Sequence, residues 1–247
     1  MHQFITRNLL YLNLFGFIIS VLFSCSSYKA KKQEAELTLP ALGTFVKTKG
    51  GILYDAAAQI GVPEWKNLKV SVQQLPFNIE SYTTYARYMQ KAAKINTIPY
   101  NDSLRYKPKY IRLHLQDKIG LAMMINNSDH QQIRNYLSLD EGYKLVSSVD
   151  LAINEADIEA FLNVDGALLE KDRYENIVLM LYNKGQKEQL YFKDLAVFNY
   201  GLSTFCWGTD RYSNLRIENI NEEGEKCPKN TYTKASKLTK EKNNLKF

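Results

Sequence analysis

The chain has 247 residues, 45% hydrophobic and 23% charged, with 32 Lys+Arg against 26 Asp+Glu and a formal net charge of +6. Those fractions belong to a folded domain and exclude a wholly disordered chain. The 12 Gly and 6 Pro show no period, which excludes collagen-like and low-complexity chains, and 3 Cys are too few for a disulfide scaffold or a multi-zinc protein.

Arg7 is the only charged side chain before Lys29, and residues 9–23 form an apolar run. As a helix that run would span about 22 Å, short of a hydrocarbon core of roughly 30 Å. A cationic start, a short apolar stretch and then small residues make the secretory pattern. The run closes on Leu22-Phe23-Ser24-Cys25, and Ser26-Ser27 follow. These residues resemble the leader of a bacterial lipoprotein precursor, with Phe23 standing where that family more often has a smaller residue. The resemblance covers the leader alone. It implies that residues 1–24 are cut away and that Cys25 becomes an acylated N-terminus. It also implies a membrane-anchored location in the cell envelope, on the outer membrane or the periplasmic face. One acyl chain holds a protein only marginally, and two or more make a stable anchor.

Residues 25–40 are polar and read as a flexible tether. The body from 41 to 227 is nearly neutral, and the positive excess sits in the ends. Lys29, Lys31 and Lys32 lie in the tether. Lys229, Lys234, Lys237, Lys240, Lys242 and Lys246, against Glu241 alone, make residues 228–247 a basic tail. The tail reads as disordered, able to touch anionic lipid headgroups or envelope polymers. A neutral body argues against a nucleic-acid-binding face.

Residues 41–67 look irregular, broken by Gly43, Gly50-Gly51, Gly61 and Pro63. Residues 69–73 alternate like a strand. Ser81 is placed to cap a helix in which Tyr82, Tyr85, Ala86, Met89 and Ala93 fall at helical spacing. Residues 96–108, with Pro99 and Pro108, form a loop. In 110–116, Ile111, Leu113 and Leu115 face one way while Arg112, His114 and Gln116 face the other. Residues 119–125 are apolar on both faces, the pattern of an interior strand. Ser128 and Gln131 resemble a capping box for a helix burying Ile133, Tyr136 and Leu137. Residues 143–153 alternate again, and Asn154 caps a short helix burying Ile158, Phe161 and Leu162.

Residues 176–182 form a second interior strand, turned by Asn183-Lys184-Gly185-Gln186 into a hairpin with 187–193. Residues 196–200 and 215–220 add short strands. Ile125-Asn126 and Ile153-Asn154 each end a strand and precede a helix, a faint internal echo. The order of elements predicts a one-domain α+β fold, a mixed and mostly antiparallel sheet with two or three helices. The 17 Tyr and 11 Phe predict aromatic cross-strand pairs on its faces.

Once Cys25 is lipidated, Cys206 and Cys227 remain, and an oxidising compartment favours pairing them. The closed loop would contribute roughly 3 kcal/mol. The rival role, Cys206 as a nucleophile, lacks a local protease signature. His114 reads as a partly exposed strand residue and His130 as a solvated one in a first helical turn, and the two do not make a zinc site. Asn163, Asp165, Gly166 and Asp172 fit part of a calcium-loop pattern, but Phe161 occupies its first position, so Asp165-Gly166 reads as a turn. The acidic pairs Asp140-Glu141 and Glu155/Asp157 supply acid–base chemistry without any sign of substrate positioning.

No P-loop, dinucleotide fingerprint, GxSxG or HExxH occurs. No catalytic residue, metal or cofactor is therefore assigned. The sequence predicts a lipid-anchored envelope protein, a non-enzymatic binding or assembly component. Its partners are the membrane through Cys25 and an envelope protein or anionic polymer, with no nucleic acid. The alternative is a membrane-anchored hydrolase of envelope glycan or peptide. A cleft gathering His114 with carboxylates would favour the hydrolase, and an exposed aromatic or apolar patch the binding module.

Overall fold

A computed structural model describes residues 39–238, apart from 49–56, 66 and 104. The leader, Cys25, the tether up to residue 38 and the tail beyond residue 238 lie outside the described residues, while Leu39 and Pro40, expected to end the tether, pack against the fold. No described helix is long and apolar enough to cross a membrane.

The stretch expected to be irregular holds two strands, β1 (Phe45–Thr48) and β2 (Ala57–Gly61), paired antiparallel. Gly43 just before β1 has φ +78°, and a Cβ there would stand 2.7 Å from Leu169 and 2.8 Å from Trp65. The glycine is thus what lets the chain pass close beneath Trp65, whose indole N–H donates to the Gly43 carbonyl at 2.8 Å. The alternation at 69–73 splits between two short strands, β3 (Leu68–Lys69) and β4 (Ser71–Pro76), which belong to different sheets. Helix α1 (Ile79–Lys91) starts two residues before Ser81. Asn78 is its cap, and Ser81 closes the capping box from the third helical position.

Strand β5 (Lys109–His114) follows the predicted alternation, with Ile111 and Leu113 fully buried. Residues 119–125 are a helix, not an interior strand: α2 (Lys118–Asn126). The Asp117 carboxylate accepts the Gly120 N–H at 2.8 Å and starts the helix. Leu121, Ala122 and Ile125 face the core while Ile119 and Met123 lie exposed. The run looked apolar on both faces because apolar residues also occupy its solvent side. With that strand gone, the echo between Ile125-Asn126 and Ile153-Asn154 has no structural counterpart. The predicted helix at Ser128 is a 3-10 turn (Ser128–His130) leading into α3 (Gln131–Leu137), and Asn127 rather than Gln131 caps Ser128. Leu137 is buried but Tyr136 is half exposed.

Strand β6 (Tyr143–Leu151) and helix α4 (Glu155–Leu162) match expectation, except that Asn154 makes no side-chain cap bond and Leu162 is exposed. Asp165-Gly166 leads into an unforeseen strand, β7 (Gly166–Lys171). Strands β8 (Ile177–Asn183) and β9 (Gln186–Tyr191) form the predicted hairpin, with Lys184 (φ 48°) and Gly185 (φ 80°) at its tip. Strand β10 (Val197–Thr209) runs far longer than expected before β11 (Leu215–Glu222).

The described strands make two antiparallel sheets, of seven and four strands. In the larger sheet β6 is the axis. Along one edge it pairs with β10; along the other, Tyr143–Leu145 pair with β1 and Ser148–Leu151 with β5, which carries β4 outward. The smaller sheet runs β3-β7-β8-β9. One main core, including Leu42, Phe45, Ile111, Leu145, Leu179 and Trp207, takes residues from both sheets. A second cluster holds α1 on the opposite face, where Phe77 meets Tyr110 at 4.9 Å, Phe198 at 5.6 Å and Tyr85 at 5.7 Å between ring centroids. Many of the aromatics thus gather under a helix rather than in cross-strand ladders.

Candidate functional site

The α1 face of the larger sheet changes character along β5, β6 and β10, and the strand register dictates where. After the aromatic cluster comes a row in which Gln73, Arg112, Asp150 and Asn199 stand side by side on four strands. The Arg112 guanidinium donates to both Asp150 oxygens, from Nε at 2.7 Å and from Nη2 at 2.9 Å, and Asn199 donates to the same carboxylate at 2.9 Å. Asp150 is buried, and its hydrogen bond raises the Arg112 pKa above the ordinary value.

The next row is Ser71, His114, Ser148 and Gly201. Here the sheet opens into a cleft of about 390 Å³, the size of a small-ligand pocket. A Cβ on Gly201 would stand 2.4 Å from the Ser148 hydroxyl oxygen, so glycine at that position is what lets the hydroxyl lie across β10. The β6–β10 register shifts twice, at an extra residue of β10 between Val197 and Asn199 and at an extra residue of β6, Ser147, opposite Gly201 and Leu202. Ser147 and Ser203 line the same cleft, joined at 2.8 Å. Lys118 from α2 and Glu222 from β11 close the rim, 3.3 Å apart, beside Glu223.

His114 stands apart from the paired Arg112 and Lys118. Its Nδ1 is buried and has no hydrogen-bond partner among the described residues. Burial lowers its pKa from the usual 6.5, with Arg112 and Lys118 pushing the same way against Glu222, so the imidazole is held neutral. With Nδ1 closed off, Nε2 is the ring nitrogen that can exchange a hydrogen bond with a bound group.

The other residues singled out by sequence do not converge. Cys206 and Cys227 form a disulfide, with Cα atoms 5.5 Å apart, which leaves no Cys206 thiol to act as a nucleophile. His130 is buried rather than solvated, its Nδ1 2.8 Å from the Met124 carbonyl. Asp165 accepts the Lys184 N–H and Asp172 holds a turn, so the partial calcium pattern forms no cage. No cluster of three metal-ligating side chains occurs among the described residues. Asp140 pairs with Lys47 and Glu141 with Lys234, each at 2.8 Å. The basic tail begins later than Pro228: Tyr232 bridges to Trp207, Ala235 is buried and Leu238 packs on the core.

Arg112 and His114 were visible as the polar side of an alternating strand. Ser148, Gly201, Ser203 and Glu222 carried no signal, because only long-range register brings them to His114. No protein-family model, curated protein sequence or solved structure matches this chain.

Proposed function

We propose that this chain is a lipid-tethered protein of a bacterial cell envelope whose His114 cleft binds a neutral, hydroxyl- or amide-rich group of envelope glycan or peptide. The observation that carries the reading is the pairing of charge inside the cleft. Arg112 is engaged by Asp150 and Lys118 by Glu222, while the His114 Nδ1 has nothing to bond. An anionic ligand would have to break one of those pairs to reach a cationic side chain. A sugar hydroxyl or peptide amide fits beside them without displacing either, and can meet the His114 ring at Nε2, the nitrogen that is not sealed off. The tether rests on the leader and Cys25.

Two measurements test the two halves. Cys25→Ala should move the protein from the membrane to the soluble fraction, and unchanged partitioning refutes the anchor. Soluble glycan and peptide fragments of the envelope should bind wild type and bind His114→Phe roughly tenfold more weakly, the size of one neutral hydrogen bond. Equal affinity removes the cleft from the proposal.

A second reading, an anchored hydrolase of the same polymers, is favoured by one feature: His114 shares the cleft with the Glu222 and Glu223 carboxylates and the Ser148 hydroxyl. Slow cleavage of those fragments by wild type, lost in His114→Gln while affinity persists, would select it.

A further inference from the structure

Two hairpins in different sheets carry almost the same five residues. Asp172-Arg173-Tyr174-Glu175-Asn176 joins β7 to β8, and Asp210-Arg211-Tyr212-Ser213-Asn214 joins β10 to β11. Their geometry is also the same. In each, one Asp oxygen accepts the N–H groups of the third and fifth residues at 2.8 Å, and the Asn amide returns to the Asp carboxylate. In each, the fourth residue is left-handed, Glu175 at φ 66° and Ser213 at φ 64°.

Those hydrogen bonds explain why Asp and Asn recur, since they clamp the turn. They do not explain the second and third positions. Arg173 and Arg211 sit over the neighbouring Tyr174 and Tyr212 rings, 4.7 Å from the centroid in both hairpins. The rings are 66% and 69% exposed, and neither guanidinium has an acidic partner among the described residues. Type I turn tips accept most residues, so the turn alone does not require this pair.

The second tip also borders an open groove of about 1110 Å³ between α2, α3 and β11, where Arg216 is paired with Glu218 and the Asn126 amide with Ile217, and where Gln131 and Asn135 also line the wall. The Gln131 and Asn135 amides suit hydroxyls of a polymer whose acidic groups meet the Arg211 tip.

We infer that the Arg173–Tyr174 and Arg211–Tyr212 tips are two copies of one recognition element for an acidic polysaccharide. Each guanidinium takes a carboxylate, phosphate or sulfate group, and each phenol ring stacks on a sugar face. This site is separate from the His114 cleft and does not depend on it. Two tips reaching one polymer would add through effective concentration.

The test uses the full chain with polygalacturonate as the acidic polymer, dextran as the neutral one, and phosphatidylglycerol vesicles. Polygalacturonate should bind more tightly than dextran. Replacing either pair by alanines (Arg173→Ala with Tyr174→Ala, or Arg211→Ala with Tyr212→Ala) should weaken binding roughly three- to tenfold, and replacing both pairs by more than tenfold. Unfolding curves should stay unchanged, because the Asp and Asn clamps remain. Arg87→Ala with Lys94→Ala removes the same charge elsewhere on the exposed surface and should leave affinity intact. Equal loss in that variant, no loss in the fourfold variant, or binding to vesicles alone overturns the inference.

Discussion

Trp207 exchanges both of its main-chain hydrogen bonds with Tyr232, donating at 2.8 Å and accepting at 3.0 Å. Beyond Ser203 strand β10 has no pairing with β6, and this two-way bridge occupies part of the edge so released. The disulfide from neighbouring Cys206 to Cys227 fixes where the returning segment starts.

Truncation after Pro228 should therefore destabilise the fold by about 2–4 kcal/mol, the cost of uncovering a large buried side chain and losing Ala235 and Leu238. Trp207 fluorescence should shift to the red as the ring meets water. Replacing Cys206 and Cys227 by Ser should cost about 3 kcal/mol on its own. Denaturant unfolding followed by fluorescence measures both, and a truncated chain as stable as the full one would show that the bridge contributes nothing.

The Arg112–Asp150 pair should respond unequally to removal of its two ends. The Asp150 side chain is 3% exposed and that of Arg112 38%. Arg112→Met would leave a buried carboxylate with Asn199 as its remaining polar side-chain partner, costing about 3 kcal/mol. Asp150→Asn leaves a guanidinium that water can reach, and should cost about 1 kcal/mol. Equal losses would mean that the guanidinium, too, is cut off from solvent.

His114 sets a pH dependence whose sign follows from its lowered pKa. An unfolded chain protonates this ring near the usual 6.5, whereas the folded chain protonates it at lower pH. Within that interval the unfolded state holds more protons, so stability is complete above about 6.5 and falls as pH drops through it. Urea midpoints measured across the interval should lose part of this slope in His114→Gln. Ligand binding in the cleft should weaken only at the lower end of that interval and below, where the folded ring itself becomes charged beside Arg112 and Lys118.

Ser213 sits exposed at φ 64°, where side chains other than glycine and asparagine are strained. Ser213→Gly should raise the melting temperature by about 1–3 °C, after the entropy gained by the unfolded chain is deducted. Ser213→Val should lower it, because a β-branched side chain tolerates that region least. Calorimetry on the two variants decides, and a shift of the same sign in both would refute strain at this site.

Legibility of the fold followed the range of the forces involved. The turn at Lys184-Gly185, the alternation through Ile111 and Leu113, and the placement of α1 were readable because each depends on neighbours a few residues apart. Residues 119–125 were misread because strand and helix make the same demand on a run of apolar residues. What selects the helix is distant: the Asn126 side chain bonds both the N–H and the carbonyl of Ile217, filling a stretch of the exposed β11 edge from α2. His130 and the first part of the tail were misjudged for the same reason, since their burial comes from elements remote in the chain. The repeated Asp-Arg-Tyr-x-Asn stands in the sequence, but only the folded turns separate the clamp at its first and fifth residues from the exposed pair at its second and third.

The sequence by itself determined that this is an α+β chain with two cysteines placed to pair and with a polar stripe carrying Arg112 and His114. Local alternation and turn chemistry are enough for that, because they sum over contacts close along the chain. Only the tertiary structure decided which groups His114 would face. That depends on register across β4, β5, β6 and β10, with one extra residue in β10 and one, Ser147, in β6. A shift of one residue reverses which face a side chain occupies, and the energy that fixes it comes from burying the whole sheet at once.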